Sequence, residues 1–195
     1  MSFLIEHKTN KAIGSWHFEP EAFSEEEINK IHQLADTLDF QKATLAFGGN
    51  NNDEYRKSEV KWLSSNMEGV YWLYQKFAEL SVKANDKLWQ FDLTGMLENI
   101  QYGIYRSDGG HYNWHMDVGN GATQKRKISI VLQLSEPEEY EGGELEMFVS
   151  KDVQKIPKKK GAVVLFPSYC MHRVTPVTKG ERRSIVLWIS GPALK

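Results

Sequence analysis

At 195 residues the chain is long enough for one sizeable core and short for two. A formal net charge of -2 argues against a nucleic-acid binder held by phosphate neutralisation, and the lone Cys170 excludes an internal disulfide framework and fits a reducing compartment. With no signal-like leader and no apolar run of membrane length, the expectation is a single cytoplasmic domain over residues 1–195, without a membrane or nucleic-acid partner.

In chain order, "AIGSWHF" (12–18) reads as a short strand. Ser24 stands three residues before Glu27, a capping box, and Ile28, Ile31, Leu34 or Ala35, and Leu38 follow at helical spacing. A second helix is expected from Asn66 to Lys83, with Val70, Leu73, Phe77 and Leu80 on one stripe. Between the helices "FGGNNNDEYRKSEV" reads as a mobile surface loop, and residues 48–58, with Tyr55 and Arg56, form a candidate lid. From residue 88 the hydrophobic period changes to two, through "ENIQYGIY", "KISIVLQL", "ELEMFV", "GAVVLFP" and "RSIVLWIS". This pattern predicts an α+β, mainly β fold: a double-stranded β-helix, or jelly roll, over about 88–192, supported by N-terminal helices.

Parity along the strand ending at Tyr105 puts Ile100, Tyr102 and Ile104 on a core-like face. Asn99, Gln101 and Tyr105 share the other face, which lines either a hydrated pocket or bulk solvent.

The segment "HYNWHMDVG" places His115 and Asp117 two residues apart, so on a strand or strand end they point the same way. The pair is either an ordinary surface patch or two thirds of a metal site. His172, in "PSYCMHRVTPV", is the candidate third ligand. Two histidines and one carboxylate form the donor set of non-haem Fe(II) oxygenases. His7, His17 and His32 lack such company. His111 is left outside the set because "DGGHYNW" is a poor strand start and Gly109 and Gly110 oppose a helix.

After His172 a turn is expected at Thr178-Lys179-Gly180, followed by a strand opening on two arginines. Arg182, Ser184, Val186 and Trp188 share one face and Arg183, Ile185, Leu187 and Ile189 the other, so one arginine points inward. A buried guanidinium is costly without a carboxylate, and this strand supplies none for it; a carboxylate-bearing ligand would. Lys125–Lys127 and Lys158–Lys160 read as solvated hairpin ends opposite an acidic "EPEEYEGGELE".

From "YRKSEVKWL" to the C-terminus the chain resembles the Fe(II)- and 2-oxoglutarate-dependent dioxygenases of the prolyl 4-hydroxylase-like family. The likeness rests on "YRSDGGHYNWHMD", on "EGGELEMF", and on the block Gly161, Val164, Phe166, His172, Val174, Pro176, Val177, Gly180, Arg182, Ser184 and Trp188. The resemblance implies that His115, Asp117 and His172 hold Fe(II) and that Arg182 binds the distal carboxylate of 2-oxoglutarate. It implies that Tyr105 supports that carboxylate, with Ser184 a further candidate contact. A second tyrosine common in the family aligns here with Gln133 or Leu132. The retained Asp117 argues against a halogenase. The implied reaction consumes O2 and 2-oxoglutarate, releases succinate and CO2, and hydroxylates a C–H bond, with ascorbate a candidate reductant. Oxidation without substrate would threaten Met116 and Cys170.

Family likeness favours a prolyl residue in a peptide or protein as substrate, with Trp114 and Trp188 as candidate pocket walls. A free amino acid or other small molecule under the same chemistry is the alternative. A non-catalytic metal-binding jelly roll is a further one, against which a structural metal prefers a closed shell and needs no buried arginine. A zinc hydrolase with these ligands lacks a convincing general base.

Overall fold

The computed structural model describes residues 14–43 and 52–193. The first helix, α1 (Glu25–Asp36), starts where its capping box places it. The Glu27 N–H donates to the Ser24 hydroxyl, and the Ser24 N–H donates to the Glu27 carboxylate. Its inner face is Ile28, Ile31 and Ala35, with Leu34 only partly buried. The second helix, α2 (Tyr71–Leu88), lies five residues C-terminal of its expected span at both ends. Gly69 has φ +76°, outside the helical region, and residues 64–70 close turns instead, so Asn66 caps nothing. At the other end Ala84 and Leu88 extend the buried stripe of Leu73 and Phe77, which prolongs the helix.

Among the described residues there are thirteen strands: β1 (His17–Glu19), β2 (Gln41–Lys42), β3 (Arg56–Lys57), β4 (Glu59–Leu63), β5 (Ile100–Arg106), β6 (His111–His115), β7 (Arg126–Gln133), β8 (Tyr140–Gly142), β9 (Leu145–Val149), β10 (Asp152–Lys155), β11 (Val163–Pro167), β12 (His172–Val174) and β13 (Val177–Ser190). The larger sheet has the order β1-β11-β7-β13-β5-β4-β2, with β8 also on β13. The smaller has the order β10-β9-β12-β6-β3. Every pairing is antiparallel, giving the two facing sheets of a jelly roll.

Alternation along the central strands divides the interior in two. Ile100, Tyr102, Ile104, Ile128, Ile130, Leu132, Ile185, Leu187 and Ile189 meet the helices in one cluster. Tyr105, Val131, Val164 and Phe166 face the smaller sheet in another, with Leu145, Met147 and Val174 opposite. Each fully buried aliphatic side chain contributes about 1.5–3 kcal/mol, so the helix-side cluster anchors the larger sheet as a rigid floor. The other face of that sheet is thereby free to carry polar groups.

Several expected elements differ. The strand expected at 12–18 is only His17–Glu19 among the described residues. The period-two region opens at Ile100 rather than 88; ahead of it only Gly95 makes a bridge, to Ser190. The turn expected at Thr178–Gly180 is part of β13: Lys179 and Gly180 pair with Glu141 and Tyr140 across a register shift. Gly180, at φ +68°, bends the strand there, and an added Cβ would lie 1.9 Å from the Glu139 carbonyl oxygen. Residues 48–51 of the candidate lid lie outside the described residues, whereas Arg56 and Lys57 are an ordered edge strand on β6. Among the described residues no helix is long and apolar enough to cross a membrane.

Candidate active site

His115 ends β6, Asp117 lies just beyond it, and His172 opens β12, directly across the ladder from His115. One donor atom from each lies within 4.8 Å of the others. The Asp117 carboxylate oxygens are 3.7 Å from His115 Nε2 and 3.6 Å from His172 Nε2. Each imidazole is turned by its own backbone: His115 Nδ1 meets the Asn113 carbonyl at 2.7 Å and His172 Nδ1 the Cys170 carbonyl at 2.9 Å. A carbonyl only accepts, so both Nδ1 atoms carry the proton and both Nε2 lone pairs face Asp117.

Asp117 is held from three sides. Its carboxylate accepts from the Ser129 hydroxyl at 2.6 Å, and its backbone N–H donates to the Ser168 carbonyl at 2.9 Å. Its carbonyl accepts from Arg126 Nη1 at 3.1 Å. Burial alone would raise the Asp117 carboxyl, but His172, His115 and Ser129 hold it below the usual carboxylate range. Burial, helped by His172, holds His115 below the usual imidazole range. An ionised carboxylate beside a neutral imidazole is the protonation state that a divalent metal requires.

The three groups open on a cavity of about 230 Å³ between the sheets, whose inner wall includes Tyr105, Val131, Arg182, Ser184 and Trp188. Gln101 and Tyr105 line it as well, so the polar face of β5 faces a pocket rather than bulk solvent. Of the two arginines, Arg183 points outward to Glu181. Arg182 points inward, only 1% exposed, with its guanidinium 5.3 Å from the Tyr105 ring centroid. Its Nη1 donates to the Ser184 hydroxyl at 3.2 Å and its Nη2 to Gln133 Oε1 at 3.0 Å. Its Nε has no partner, and no carboxylate among the described residues pairs with it. Gln133 accepts from the guanidinium and so supports it.

The "EGGEL" hairpin makes room for this arginine. Gly142 and Gly143 have φ +75° and +61°. A Cβ on Gly142 would lie 2.0 Å from the Pro176 carbonyl oxygen, and one on Gly143 would lie 3.0 Å from Arg182 Cδ. Both glycines are therefore required by a left-handed backbone and by close approach.

A second, outer groove shares Tyr112, His115, Asp117 and Arg126 with the cavity and continues past Tyr55, Trp114, Met116 and Met171. Trp114 walls this groove, stacked under Arg173, and not the inner cavity, which Trp188 walls. Met116 is exposed at the groove, whereas Cys170 lines neither space and burial pushes its thiol up to about 11. His111 does begin a strand, but its ring nitrogens meet the Gly109 and Glu54 carbonyls, away from Asp117. His17 pairs with Glu19, and His32 bonds the Tyr102 hydroxyl.

Charge-run reading missed Arg126. It lies 3.6 Å over the Trp188 ring, bridges to Glu98 and holds the Asp117 carbonyl, and Lys127 beside it is buried, so this run is no solvated hairpin end. Arg56, in the edge strand, is buried over the Tyr112 ring at 4.5 Å and reaches the cavity. Ser129, which donates to the Asp117 carboxylate, is a further residue outside the motifs. Ser129 shares the face of β7 that carries Val131, and the fold brings it to Asp117.

Residues 100–190 match the model of the 2OG-Fe(II) oxygenase superfamily. A PKHD-type hydroxylase of Teredinibacter turnerae is 39% identical over 94 residues, covering 46% of this chain and 41% of its own length. The matched stretch spans about two fifths of the first such relatives. Two solved structures share the fold at 20% identity. A Pseudomonas putida prolyl-4-hydroxylase superposes with TM-score 0.73 over 92% of this chain and 94% of that one. A Trichoplax adhaerens prolyl hydroxylase, in complex with a hypoxia inducible factor peptide fragment, does so with TM-score 0.76 over 90% and 83%. The sequence match over residues 100–190, the shared fold and the His-Asp-His cluster agree on a 2OG-Fe(II) oxygenase domain with a prolyl hydroxylase-like fold.

Proposed function

We propose that the protein is an Fe(II)- and 2-oxoglutarate-dependent dioxygenase that hydroxylates a prolyl residue of a peptide or protein. The observation that carries this reading is Arg182, a fully buried guanidinium without a carboxylate partner, in the same cavity as a preoriented His-Asp-His set. His115, Asp117 and His172 are the iron ligands in this reading. Arg182, with Ser184 and Tyr105 beside it, takes the distal carboxylate of 2-oxoglutarate. When bound, iron and 2-oxoglutarate supply oxygen activation, with release of succinate and CO2 and transfer of one oxygen atom to a C–H bond.

The chain's own residues do the rest. Asn113 and Cys170 carbonyls hold the imidazole tautomers, Ser129 and Arg126 hold Asp117, and Val131, Leu145 and Val174 keep the cavity wall dry. The outer groove, where Tyr55, Trp114 and Met171 line one space with His115 and Asp117, is the substrate's place in this reading. Its continuity with the triad, and the peptide bound by the Trichoplax neighbour, favour a peptide over a free amino acid.

The test is anaerobic addition of Fe(II) and 2-oxoglutarate, followed by visible absorbance, with Asp117→Ala and Arg182→Ala as controls. A weak charge-transfer band that requires both residues supports the site, and its absence from the folded, iron-loaded protein overturns it. Succinate release stimulated by proline-containing peptides, with a +16 mass shift on proline, tests the substrate. Stimulation by free amino acids alone replaces the peptide reading.

A further inference from the structure

We infer that Tyr140, on β8, is a further binding residue for the co-substrate: its hydroxyl donates a hydrogen bond to the same distal carboxylate that Arg182 takes. The inference rests on the dioxygenase reading above and names a residue outside the motifs that suggested it. In those motifs a second tyrosine is expected on β7, and that position holds Gln133 or Leu132.

Tyr140 is 4% exposed, and its hydroxyl has no hydrogen-bond partner. A buried phenol without a partner is costly and is rarely retained without a use. Its position is set by the glycine hairpin: a point 3.0 Å from Arg182 Cδ lies 3.2 Å from Tyr140 Cε2, so ring and arginine stem pack against one glycine, Gly143. Across the ladder Tyr140 faces Gly180, two residues before Arg182, so β8 and β13 carry the two groups to one place. Burial raises the Tyr140 hydroxyl above its ordinary range and so keeps it a protonated donor, while the neighbouring Arg182 guanidinium opposes that rise.

The donor count agrees. Arg182 has five N–H groups, of which Ser184 and Gln133 occupy two, and its Nε has no partner. Tyr140 and Arg182 Nε are thus neighbouring buried groups without a hydrogen-bond partner, and the Glu144 carboxylate nearby is taken by Thr175 and Lys158. One ligand carboxylate, with about four lone-pair sites, satisfies both. Gln133, in place of a β7 tyrosine, accepts from Arg182 and so orients the guanidinium. Tyr140 supplies the neutral donor from the opposite strand. The Lys158 ammonium, 4.6 Å from the Tyr140 ring centroid, closes the outer side of the ring and is tied to the Gly142 carbonyl and Glu144.

The experiment measures anaerobic binding of 2-oxoglutarate and of 2-oxopentanoate, which lacks the distal carboxylate, to the Fe(II)-loaded protein by the charge-transfer band. Intact protein, Tyr140→Phe and Arg182→Ala are compared, with the apo melting temperature of each as a fold control. Tyr140→Phe is expected to weaken 2-oxoglutarate by about tenfold, the loss of one charge-assisted hydrogen bond, and to leave 2-oxopentanoate unchanged. If Tyr140→Phe binds 2-oxoglutarate like the intact protein while Arg182→Ala does not, the Tyr140 inference is overturned and the dioxygenase reading stands. Equal weakening of both acids marks Tyr140 as merely structural and also overturns it. If intact protein binds neither acid, the dioxygenase reading falls and the inference with it.

Discussion

Replacing Arg182 by Met tests whether the buried guanidinium exists for a ligand. The side chain is 1% exposed and makes two neutral hydrogen bonds, to Ser184 and Gln133, with no carboxylate to balance its charge. Removing it deletes an unbalanced buried charge and leaves two acceptors unpaired. Replacing buried charge by an apolar group of similar volume gains about 1–4 kcal/mol and each lost partner costs about 1–3 kcal/mol, so the ligand-free protein should melt close to the unaltered one. Ligand binding behaves differently. Breaking a buried ion pair costs about 3–5 kcal/mol, or roughly two to four powers of ten in Kd. With 2-oxoglutarate at about 100 times its Kd, and Mn(II) in place of iron, the intact protein gains about 2.7 kcal/mol. For a chain of this size that is roughly 5–11 °C in melting temperature. The variant, its Kd raised at least about 100-fold, should gain no more than about 0.4 kcal/mol, near 1 °C. Thermal melts with and without 2-oxoglutarate decide the matter, and Arg182→Lys, which keeps the charge, should retain part of the shift. A full ligand-dependent shift in Arg182→Met would refute the assignment of Arg182 to the carboxylate.

Ser129→Ala removes the 2.6 Å hydrogen bond to Asp117 and should weaken metal binding by about 10–100-fold, read by competition with a chromophoric chelator; unchanged affinity would deny Ser129 its orienting role. Burial alone would raise the Glu144 carboxyl, but the Thr175 hydroxyl and Lys158 hold it down at about 2. Its contribution to stability is therefore present above the ordinary value of 4.5 and lost as pH falls toward 2, so Glu144→Gln should flatten that stretch of the stability–pH curve in chemical denaturation. Gly180→Ala forces a side chain onto φ +68° and against the Glu139 carbonyl, and should lower stability by about 1–3 kcal/mol or more, seen as a lower urea midpoint. A midpoint equal to that of the unaltered protein would mean that β13 does not bend there.

Much of the architecture is local in origin and therefore legible along the chain. The Ser24–Glu27 capping box sets the start of α1 from within one turn. Alternation assigns β5, β7, β11 and β13 their two faces because the strand period is two wherever they pair. The limits of α2 were less legible, because Gly69 in the left-handed region decides its start and tertiary burial of Ala84 and Leu88 prolongs its end.

The amino-acid sequence by itself pointed to His115, Asp117 and His172 as candidate donors, to one inward arginine and to the jelly-roll class, from residue type, strand alternation and family-like motifs. Only the tertiary structure decided what surrounds them. Alternation tells which face a side chain takes but not what it meets across that face. Ser129 reaches Asp117, Gln133 reaches Arg182 and Arg126 reaches Trp188 because β7 and β13 pair in one register and curve over the smaller sheet. Tyr140 comes beside Arg182 because the glycine hairpin folds β8 back onto β13, a contact 42 residues apart in the chain that no local pattern encodes.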